Sequence, residues 1–434
     1  MPAPPALTQY ALIVKSVPAR AMKMPDDETR NWKEKGLALV VPAVGLLVLA
    51  GVAVSTYLTW SAIPLHSNPQ NVPSLTSGPP PHKWRAAVEQ ARQLARAGLV
   101  EQNLPGLSVA VGADGGIVWA EGFGWADLEK RVPVAPNTRF RIGHASNALT
   151  SAAAGLLLET GRLRLDDEIQ VYVPAFPEKQ WPVTLRQLMG HVAGIRHYDS
   201  EKDYMPSTHC ERAADGLAPF AMDPLRFEPE TRYRYSTFGW VLVSAAIEAK
   251  ADEPFFSFMR AHIFTPAGML DTTFDYATGA MPNLATFYYP KFHGATTYGP
   301  EVASRADYSC FAGAGGFVST PTDLVRFGLA IGSGTLLQPG TVKMLQTPQL
   351  LTSGEETRYG LGWMLEEVPL AGEPTLLASH ASRTMLGGST SFITVPARGM
   401  VVAVTSNISL ANTRTIALKI AEAFAEGGRR SGAR

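Results

Sequence analysis

An imidazole and a carboxamide stand three residues apart in the stretch 137–161, at His144 and Asn147. Residues at positions i and i+3 of a helix lie on one face, so the two side chains can act together. Such a pair can donate and accept hydrogen bonds to a ligand. It cannot form a serine ester, because neither side chain carries a hydroxyl nucleophile.

The surrounding residues predict an element that presents these two side chains. Arg139–Gly143 is predicted to be an extended segment that ends in a glycine turn. Ala148–Glu159 is predicted to be helical, because it consists largely of strong helix formers. Ser146 and Asn147 are typical of a helix start, and Gly161 is placed to cap the helix end.

The segment Phe-Arg-Ile-Gly at 140–143 resembles the active-site region of the serine β-lactamase and penicillin-binding-protein-like family, where Ser-x-x-Lys follows. In that family the serine is acylated, and the lysine one turn later takes or relays its proton. The resemblance places His144 at the serine position and Asn147 at the lysine position. It therefore implies a family scaffold from which both reacting groups are missing.

Two further motifs of the family are matched in part. Tyr-Ser-Thr at 235–237 stands for Tyr-x-Asn and is similar to the form in the mitochondrial β-lactamase-like branch, which implies that Tyr235 is a proton shuttle or ligand donor and Thr237 a binding residue. His-Ala-Ser at 380–382 stands for Lys-Thr-Gly or His-x-Gly, which implies that His380 faces the groove. Ser382 replaces a glycine there and should narrow the groove. The alternatives are a tyrosine that packs between lobes and a strand-end histidine without a ligand role.

The resemblance covers about residues 84–427 and implies an α+β fold. We expect an antiparallel sheet flanked by helices, with an inserted, mostly helical lobe, preceded by one transmembrane helix. The sequence around 113–116, Ala-Asp-Gly-Gly, is typical of a hairpin turn. The predicted strands are Leu107–Val111, Ile117–Gly122, Thr375–His380, Thr390–Val395 and Val401–Ser406, and the outer helices are Trp84–Val100 and Leu410–Ala425.

Two other kinds of chemistry are considered beside the missing serine. Ser146, Ser236 and Ser382 are candidates for a relocated nucleophile, although none has a lysine or a carboxylate at a recognisable spacing. His144 and His380, with His191 or His197 at the border of the groove, would suit a zinc ion. The more ordinary interpretation is that these are loop hydroxyls and separate histidines.

Composition limits the class of protein. Lys and Arg together number 38, and Asp and Glu together also number 38, so no basic excess indicates nucleic-acid binding. Apolar residues make up 46% of the chain, enough for a large core.

Cys210 and Cys310 either form one disulfide or are two separate buried thiols. No cofactor is expected.

The N-terminal part predicts a membrane anchor. Gly36–Trp60 is an uncharged run of 25 residues, long enough to cross a bilayer of about 30 Å as a helix. Lys and Arg precede this run and are absent between it and His82, which favours a cytoplasmic N-terminus. A cleaved signal peptide is the alternative, and Met22 or Met24 are alternative starts. The predicted order is a cytoplasmic segment 1–35, an anchor 36–60, a Pro/Ser-rich linker 61–82, the domain 83–427 and a tail 428–434.

These observations predict an anchored protein of the inner (cytoplasmic) membrane, with its domain on the periplasmic side. The favoured function is a catalytically impaired or inactive member of the family that retains a groove for a peptide-like, acyl or cell-wall-derived ligand, or for a protein partner. One alternative is an active hydrolase that uses a relocated serine or a histidine-bound metal. Another is a structural envelope protein with a closed groove. The sequence leaves the oligomeric state open.

Overall fold

The computed structural model describes residues 43–57, 63–204, 208–275, 281–292, 295–304, 306–383 and 387–432. The chain divides between residues 61 and 62 into two units. In the first unit, residues 43–57 form a helix whose side chains are all exposed. Within the described ranges, no helix is both long and apolar enough to cross a membrane. The remainder of the predicted anchor Gly36–Trp60 and the predicted segment 1–35 lie outside the described residues.

The second unit is built on an antiparallel sheet. The described strands are β1 (Ser74–Thr76), β2 (Gly106–Ala113), β3 (Gly116–Asp127), β4 (Val132–Pro133), β5 (Phe140–Arg141), β6 (Thr273–Phe274), β7 (Tyr288–Phe292), β8 (Ala295–Val302), β9 (Phe317–Ser319), β10 (Met364–Leu370), β11 (Glu373–Ser382), β12 (Ser389–Val395) and β13 (Met400–Ser406). The main sheet has eight strands in the order β1-β3-β2-β13-β12-β11-β10, with β4 paired to β3. Smaller sheets join β5-β9-β6 and β7-β8.

Helices cover both faces of the main sheet. The described α-helices are α1 (Arg85–Glu101), α2 (Ser146–Glu159), α3 (Leu185–Met189), α4 (Glu201–Tyr204), α5 (Thr237–Ala251), α6 (Phe255–Phe258), α7 (Pro321–Gly332), α8 (Pro339–Leu345) and α9 (Thr413–Gly432). Because side chains alternate along a strand, β2 serves two cores. Val109 and Val111 pack with α1 and α9, whereas Ala110 packs with α2, α5 and α7. The predicted α+β fold is confirmed.

The predicted outer elements are found within a few residues of their expected bounds. The hairpin turn holds Asp114 and Gly115 at φ values of 53° and 78°, as a tight two-residue connection requires. Helix α2 begins at Ser146, where the sequence predicts its start, although a 3₁₀ turn at Gly143–Ala145 precedes it and no side chain caps it. Helix α9 continues to Gly432, through most of the predicted tail 428–434. Near this end of the helix, Gly427 packs against α1, where a Cβ atom at position 427 would lie 3.0 Å from the Cβ of Ala87.

Part of the predicted linker belongs to the domain. Strand β1 pairs with the edge of β3, with Ser74 opposite Phe123, and Val72 is 2% exposed. Arg96 on α1 donates hydrogen bonds to the carbonyl of Val72 at 2.9 Å and to the hydroxyl of Ser74 at 2.8 Å. The Pro- and Ser-rich composition suggested an exposed linker, but an open strand edge offers backbone groups that such a segment can pair with.

The two cysteines form a disulfide, which decides between the two interpretations of the sequence. Cys210 and Cys310 are bonded, with their Cα atoms 4.9 Å apart and 100 residues between them in sequence. The bridge ties the segment after α4 to a 3₁₀ turn at Ser309–Ala314. That turn lies against α2, where the carbonyl of Gly313 accepts a hydrogen bond from the Thr150 hydroxyl at 2.9 Å.

Candidate functional site

The elbow before α2 is fixed by pairing and by a buried ion pair. Arg141 of β5 pairs with Val318 of β9, and its guanidinium is bonded to the buried carboxylate of Asp275. The chain then turns at Gly143, whose φ of 49° lies in the region that glycine adopts without strain. His144 follows on the 3₁₀ turn. The elbow therefore presents this side chain, as the sequence predicts.

His144 is hydrogen-bonded to the second motif, the Tyr-Ser-Thr segment at 235–237. Its Nε2 atom lies 3.1 Å from Oγ1 of Thr237, and its ring centroid lies 5.0 Å from that of Tyr235. Burial lowers the pKa of His144 well below its ordinary value, and the neighbouring imidazoles of His197 and His380 lower it further. The imidazole is therefore neutral at pH 7. It can exchange a hydrogen bond with the threonine hydroxyl, but it cannot be acylated as a serine would be.

Asn147 is also engaged with the second motif. It is fully buried, and its Nδ2 atom donates a hydrogen bond to the hydroxyl of Tyr235 at 2.9 Å. Burial raises the pKa of Tyr235 well above its ordinary value, so the phenol stays protonated. A lysine at this position would be positioned to draw a proton from a nearby hydroxyl, whereas the carboxamide only holds the tyrosine in place.

The third motif lies on β11. Nε2 of His380 lies 2.9 Å from the hydroxyl of Tyr359, and both side chains are about 1% exposed. Burial lowers the pKa of His380 to about 4. Ser382 is buried as well, and its hydroxyl has no hydrogen-bond partner among the described residues. The sequence analysis names His380 but misses its contact with Tyr359, which has no local sequence signature.

Two further histidines support the Tyr-Ser-Thr segment. Nδ1 of His191 accepts a hydrogen bond from the backbone N–H of Ser236 at 3.1 Å, and its ring lies 4.1 Å from the Tyr235 ring. Nδ1 of His197 accepts from the backbone N–H of Thr237 at 3.3 Å. The sequence suggested these histidines only as metal ligands. In the described part of the chain, no group of three His, Cys, Asp or Glu side chains is arranged to hold a metal ion.

The three alternative serines are placed unfavourably for catalysis. The Ser236 hydroxyl donates to the carbonyl of Arg196 at 2.7 Å and accepts from the N–H of Gly239, so it caps α5. Ser146 and Ser382 are buried, and neither hydroxyl has a hydrogen-bond partner within the described ranges. None of the three described hydroxyls contacts an imidazole, a lysine or a carboxylate that would activate it.

Two cavities lie away from these motifs, beside the disulfide. They have volumes of about 340 and 250 Å³ and share four lining residues, Glu211, Arg212, Glu248 and Pro254. The buried carboxylate of Glu248 accepts hydrogen bonds from Arg212 and from the backbone N–H of Ala213, both at 3.2 Å. Neither cavity is lined by a motif residue, so we place the candidate site at the motifs, where the polar side chains of three separate segments meet.

The comparisons with known proteins concern the family and the fold. The model of the family described as Beta-lactamase matches residues 87–425. Serine beta-lactamase-like protein LACTB, mitochondrial, of Bos taurus is 29% identical over 454 residues, covering 80% of this chain and 81% of that protein. Penicillin-binding protein 4* of Bacillus subtilis (strain 168) is 28% identical over 287 residues, covering 62% and 61%. The D-amino acid amidase of Ochrobactrum anthropi SV3, solved with L-phenylalanine amide, superposes with a TM-score of 0.66 at 22% identity, covering 80% of this chain and 99% of that one.

Proposed function

The chain belongs to the β-lactamase-related serine hydrolase family, and from that premise we propose that its domain has lost covalent hydrolysis and serves to bind a ligand. The observation that carries this proposal is the pair of contacts made by His144 and Asn147. Nε2 of His144 is hydrogen-bonded to Oγ1 of Thr237 at 3.1 Å. Nδ2 of Asn147 donates a hydrogen bond to the hydroxyl of Tyr235 at 2.9 Å. The family's reaction needs a serine hydroxyl and a lysine at these two positions.

The remaining groups of the site do not replace the missing pair. A hydroxyl becomes a nucleophile when an adjacent base takes its proton. The one imidazole that contacts a hydroxyl in the Tyr-Ser-Thr segment is His144, and its partner, Thr237, is fully buried. The hydroxyl of Thr237 is therefore not exposed to a substrate carbonyl. This supports a binding role over the alternative of an active hydrolase with a relocated nucleophile.

The ligand we propose is peptide-like, acyl or derived from the cell wall, or a segment of a protein partner. Support comes from the family membership and from the name of the similar penicillin-binding protein 4*. The rings of His144 and Tyr235 are partly exposed, so the site can contact a ligand without the covalent step. Nothing in the composition, with equal numbers of acidic and basic residues, favours nucleic acid.

We also propose that the protein is anchored in the inner membrane with its domain on the periplasmic side. The uncharged run Gly36–Trp60, with cations before it only, supports this orientation. The disulfide between Cys210 and Cys310 adds support, because disulfides persist in oxidising compartments such as the periplasm.

Hydrolysis assays test the proposed loss of catalysis. The purified chain is incubated with a chromogenic cephalosporin and with p-nitrophenyl acetate, beside penicillin-binding protein 4* of Bacillus subtilis. We expect no turnover above the rate in buffer. Turnover that is abolished by alanine at Ser146, Ser236 or Ser382 would establish a relocated nucleophile instead. Turnover that a chelator abolishes would establish a metal-assisted hydrolase.

A further inference from the structure

The segment that follows the uncharged run is hydrogen-bonded to strand β8 of the small sheet β7-β8. We propose that this hairpin is a second membrane contact, in which the edge of β8 enters the lipid head-group layer. The inference rests on the proposed membrane anchor and adds the face of the domain that meets the bilayer. The partner is the lipid interface itself.

The domain begins with a set of contacts to β8. The backbone N–H of Ile63 donates a hydrogen bond to the carbonyl of Thr297 at 3.2 Å. Nδ2 of Asn103, just after α1, donates to the carbonyls of Ile63 at 2.8 Å and Thr296 at 3.0 Å. The Ile63 side chain lies over Gly299, where an added Cβ atom would come within 3.4 Å of it. The start of the domain is therefore fixed to this strand by both backbone and side-chain contacts.

The chain between the proposed anchor and this attachment is short. Trp60 ends the uncharged run, and tryptophan is typical of the head-group level of a bilayer. Ile63 follows three residues later, and an extended chain advances by at most about 3.6 Å per residue, so the two Cα atoms are separated by at most about 11 Å. The polar layer on each side of a bilayer is roughly 5 to 8 Å thick. When the anchor is in the membrane, Thr297 therefore has to lie in or beside the head-group layer.

The outer edge of the hairpin carries apolar side chains on both faces. Strand β7 is the inner strand, because the N–H of Tyr288 donates to the carbonyl of Asn407, after β13, at 2.9 Å. On β8, Val302 is 68% exposed, and Ile63 beside this strand is 49% exposed. Side chains alternate along a strand, so Val302 lies on the opposite face from Gly299, which Ile63 covers. The edge of β8 is thus flanked by exposed apolar groups, as a strand that enters a lipid interface requires.

The polar groups of the hairpin suit an interface without a preference for charged lipids. Tyr289 and Tyr298 are half-buried, and tyrosine is enriched where a bilayer meets water. Lys291 and Glu301 are both exposed and have opposite charges. The hairpin therefore has no excess of cations that would select an anionic head group. Its contact depends on apolar and aromatic groups at the level where the anchor leaves the bilayer.

The anchor makes this weak contact effective. Few apolar side chains are exposed along β8, so we expect the hairpin alone not to hold a chain without the anchor on a membrane. A short tether converts a second contact into an intramolecular event with a high effective concentration. The contact therefore orients a domain that the anchor has already brought to the bilayer.

Photolabelling of the natural full chain tests the proposal. The protein is reconstituted in vesicles of phosphatidylethanolamine and phosphatidylglycerol that contain a phospholipid with a diazirine beside its head group, and adducts are mapped by peptide mass spectrometry. We expect adducts in the anchor and in residues 288–302, and none around Val171. Val171 is a matched control, since it is 57% exposed. Its neighbour Ile169 packs in the core with α2 and α5, whereas Tyr288 packs in the core with α1 and α9.

A pair of variants tests the chemistry of the contact. Val302→Asp should lower the labelling of β8 severalfold, because a carboxylate loses hydration when it enters the lipid interface. Val171→Asp, the matched control, should leave that labelling unchanged. Undiminished labelling of β8 in Val302→Asp would overturn the role of the exposed apolar edge.

The natural chain decides the question even if a variant does not fold. A labelled anchor with an unlabelled β8, or equal labelling of β8 and Val171, would overturn this inference and leave the proposed anchor standing. An unlabelled anchor would overturn both. The proposed loss of hydrolysis is measured separately with the ester and cephalosporin substrates, so its failure is distinct from either result.

Discussion

The Nε2 atom of His144 lies 3.1 Å from Oγ1 of Thr237, a residue 93 positions later in the chain. This contact joins the first motif of the site to the second. The imidazole in this contact is neutral, because burial lowers the pKa of His144 well below its ordinary value. The proposed loss of covalent hydrolysis rests on this contact.

The first prediction concerns restoration of the missing pair. His144→Ser alone should not be acylated by a fluorescent penicillin, because the new hydroxyl would lack a base while Asn147 stays bonded to Tyr235. His144→Ser combined with Asn147→Lys should show slow acylation, several orders of magnitude below that of an intact relative.

Intact-mass spectrometry after incubation measures both variants of this first prediction. The matched control is His144→Ala with Asn147→Lys, which gains the base but has no nucleophile. Acylation of His144→Ser alone, or of this control, would contradict our assignment of the two positions.

The second prediction concerns stability and pH. Burial lowers the pKa of His380 to about 4 in the folded protein. The pKa of a histidine in the unfolded chain is about 6.5. The unfolded chain therefore binds more protons between these values, and the free energy of unfolding should fall as pH decreases from 6.5 to 4. This residue should contribute roughly 3 kcal/mol of that loss.

Urea unfolding at a series of pH values measures the second prediction. His380→Gln keeps a hydrogen-bonding group beside Tyr359 but does not titrate, so its stability should fall less over the same interval. If the variant and the natural protein lose stability equally, the buried neutral histidine is not the cause.

The third prediction concerns the disulfide. Replacement of both Cys210 and Cys310 by serine should lower the free energy of unfolding by about 4 to 5 kcal/mol, the chain-entropy value for a loop of this length. Reductant should destabilise the natural protein and leave the double variant unchanged. Thiol titration of denatured, unreduced protein should detect no free thiol, and detection of two would rule the bridge out.

The fourth prediction concerns membrane attachment. The full chain should sediment with membranes, and a chain of residues 62–434 should remain in the supernatant, because the uncharged run lies before residue 62. Protease added after the outer layer has been opened should cut the domain. Full-length protein in the supernatant, or a domain protected from that protease, would contradict the proposed topology.

Local patterns predicted the elements of this fold where the pattern is regular. The runs of β-favouring residues in strands β2 and β13, the turn at Asp114 and the glycine after α2 all depend on residues close in sequence. Strand β1 was missed, because three residues in a proline-rich stretch carry no periodic signal. Its pairing with β3 depends on an edge formed almost 50 residues later.

The contacts among the candidate site residues could not be predicted from the sequence. Tyr235 and His380 were found through motif resemblance, whereas the bond between His380 and Tyr359 and the support of Ser236 by His191 were not. Neither contact has a local signature, since His191 is 45 residues from its partner. The disulfide likewise stayed open in the sequence, because 100 residues separate two isolated cysteines.

The most direct test of the central claim is covalent labelling of the natural protein. The purified chain is incubated with a fluorophosphonate probe directed at activated serines, beside an intact relative, and both are measured by intact-mass spectrometry and peptide mapping. We predict a stoichiometric adduct on the relative and none on this protein, because the position of the family's nucleophile is His144. A stoichiometric adduct on Ser146, Ser236 or Ser382 would contradict the account and identify a relocated nucleophile.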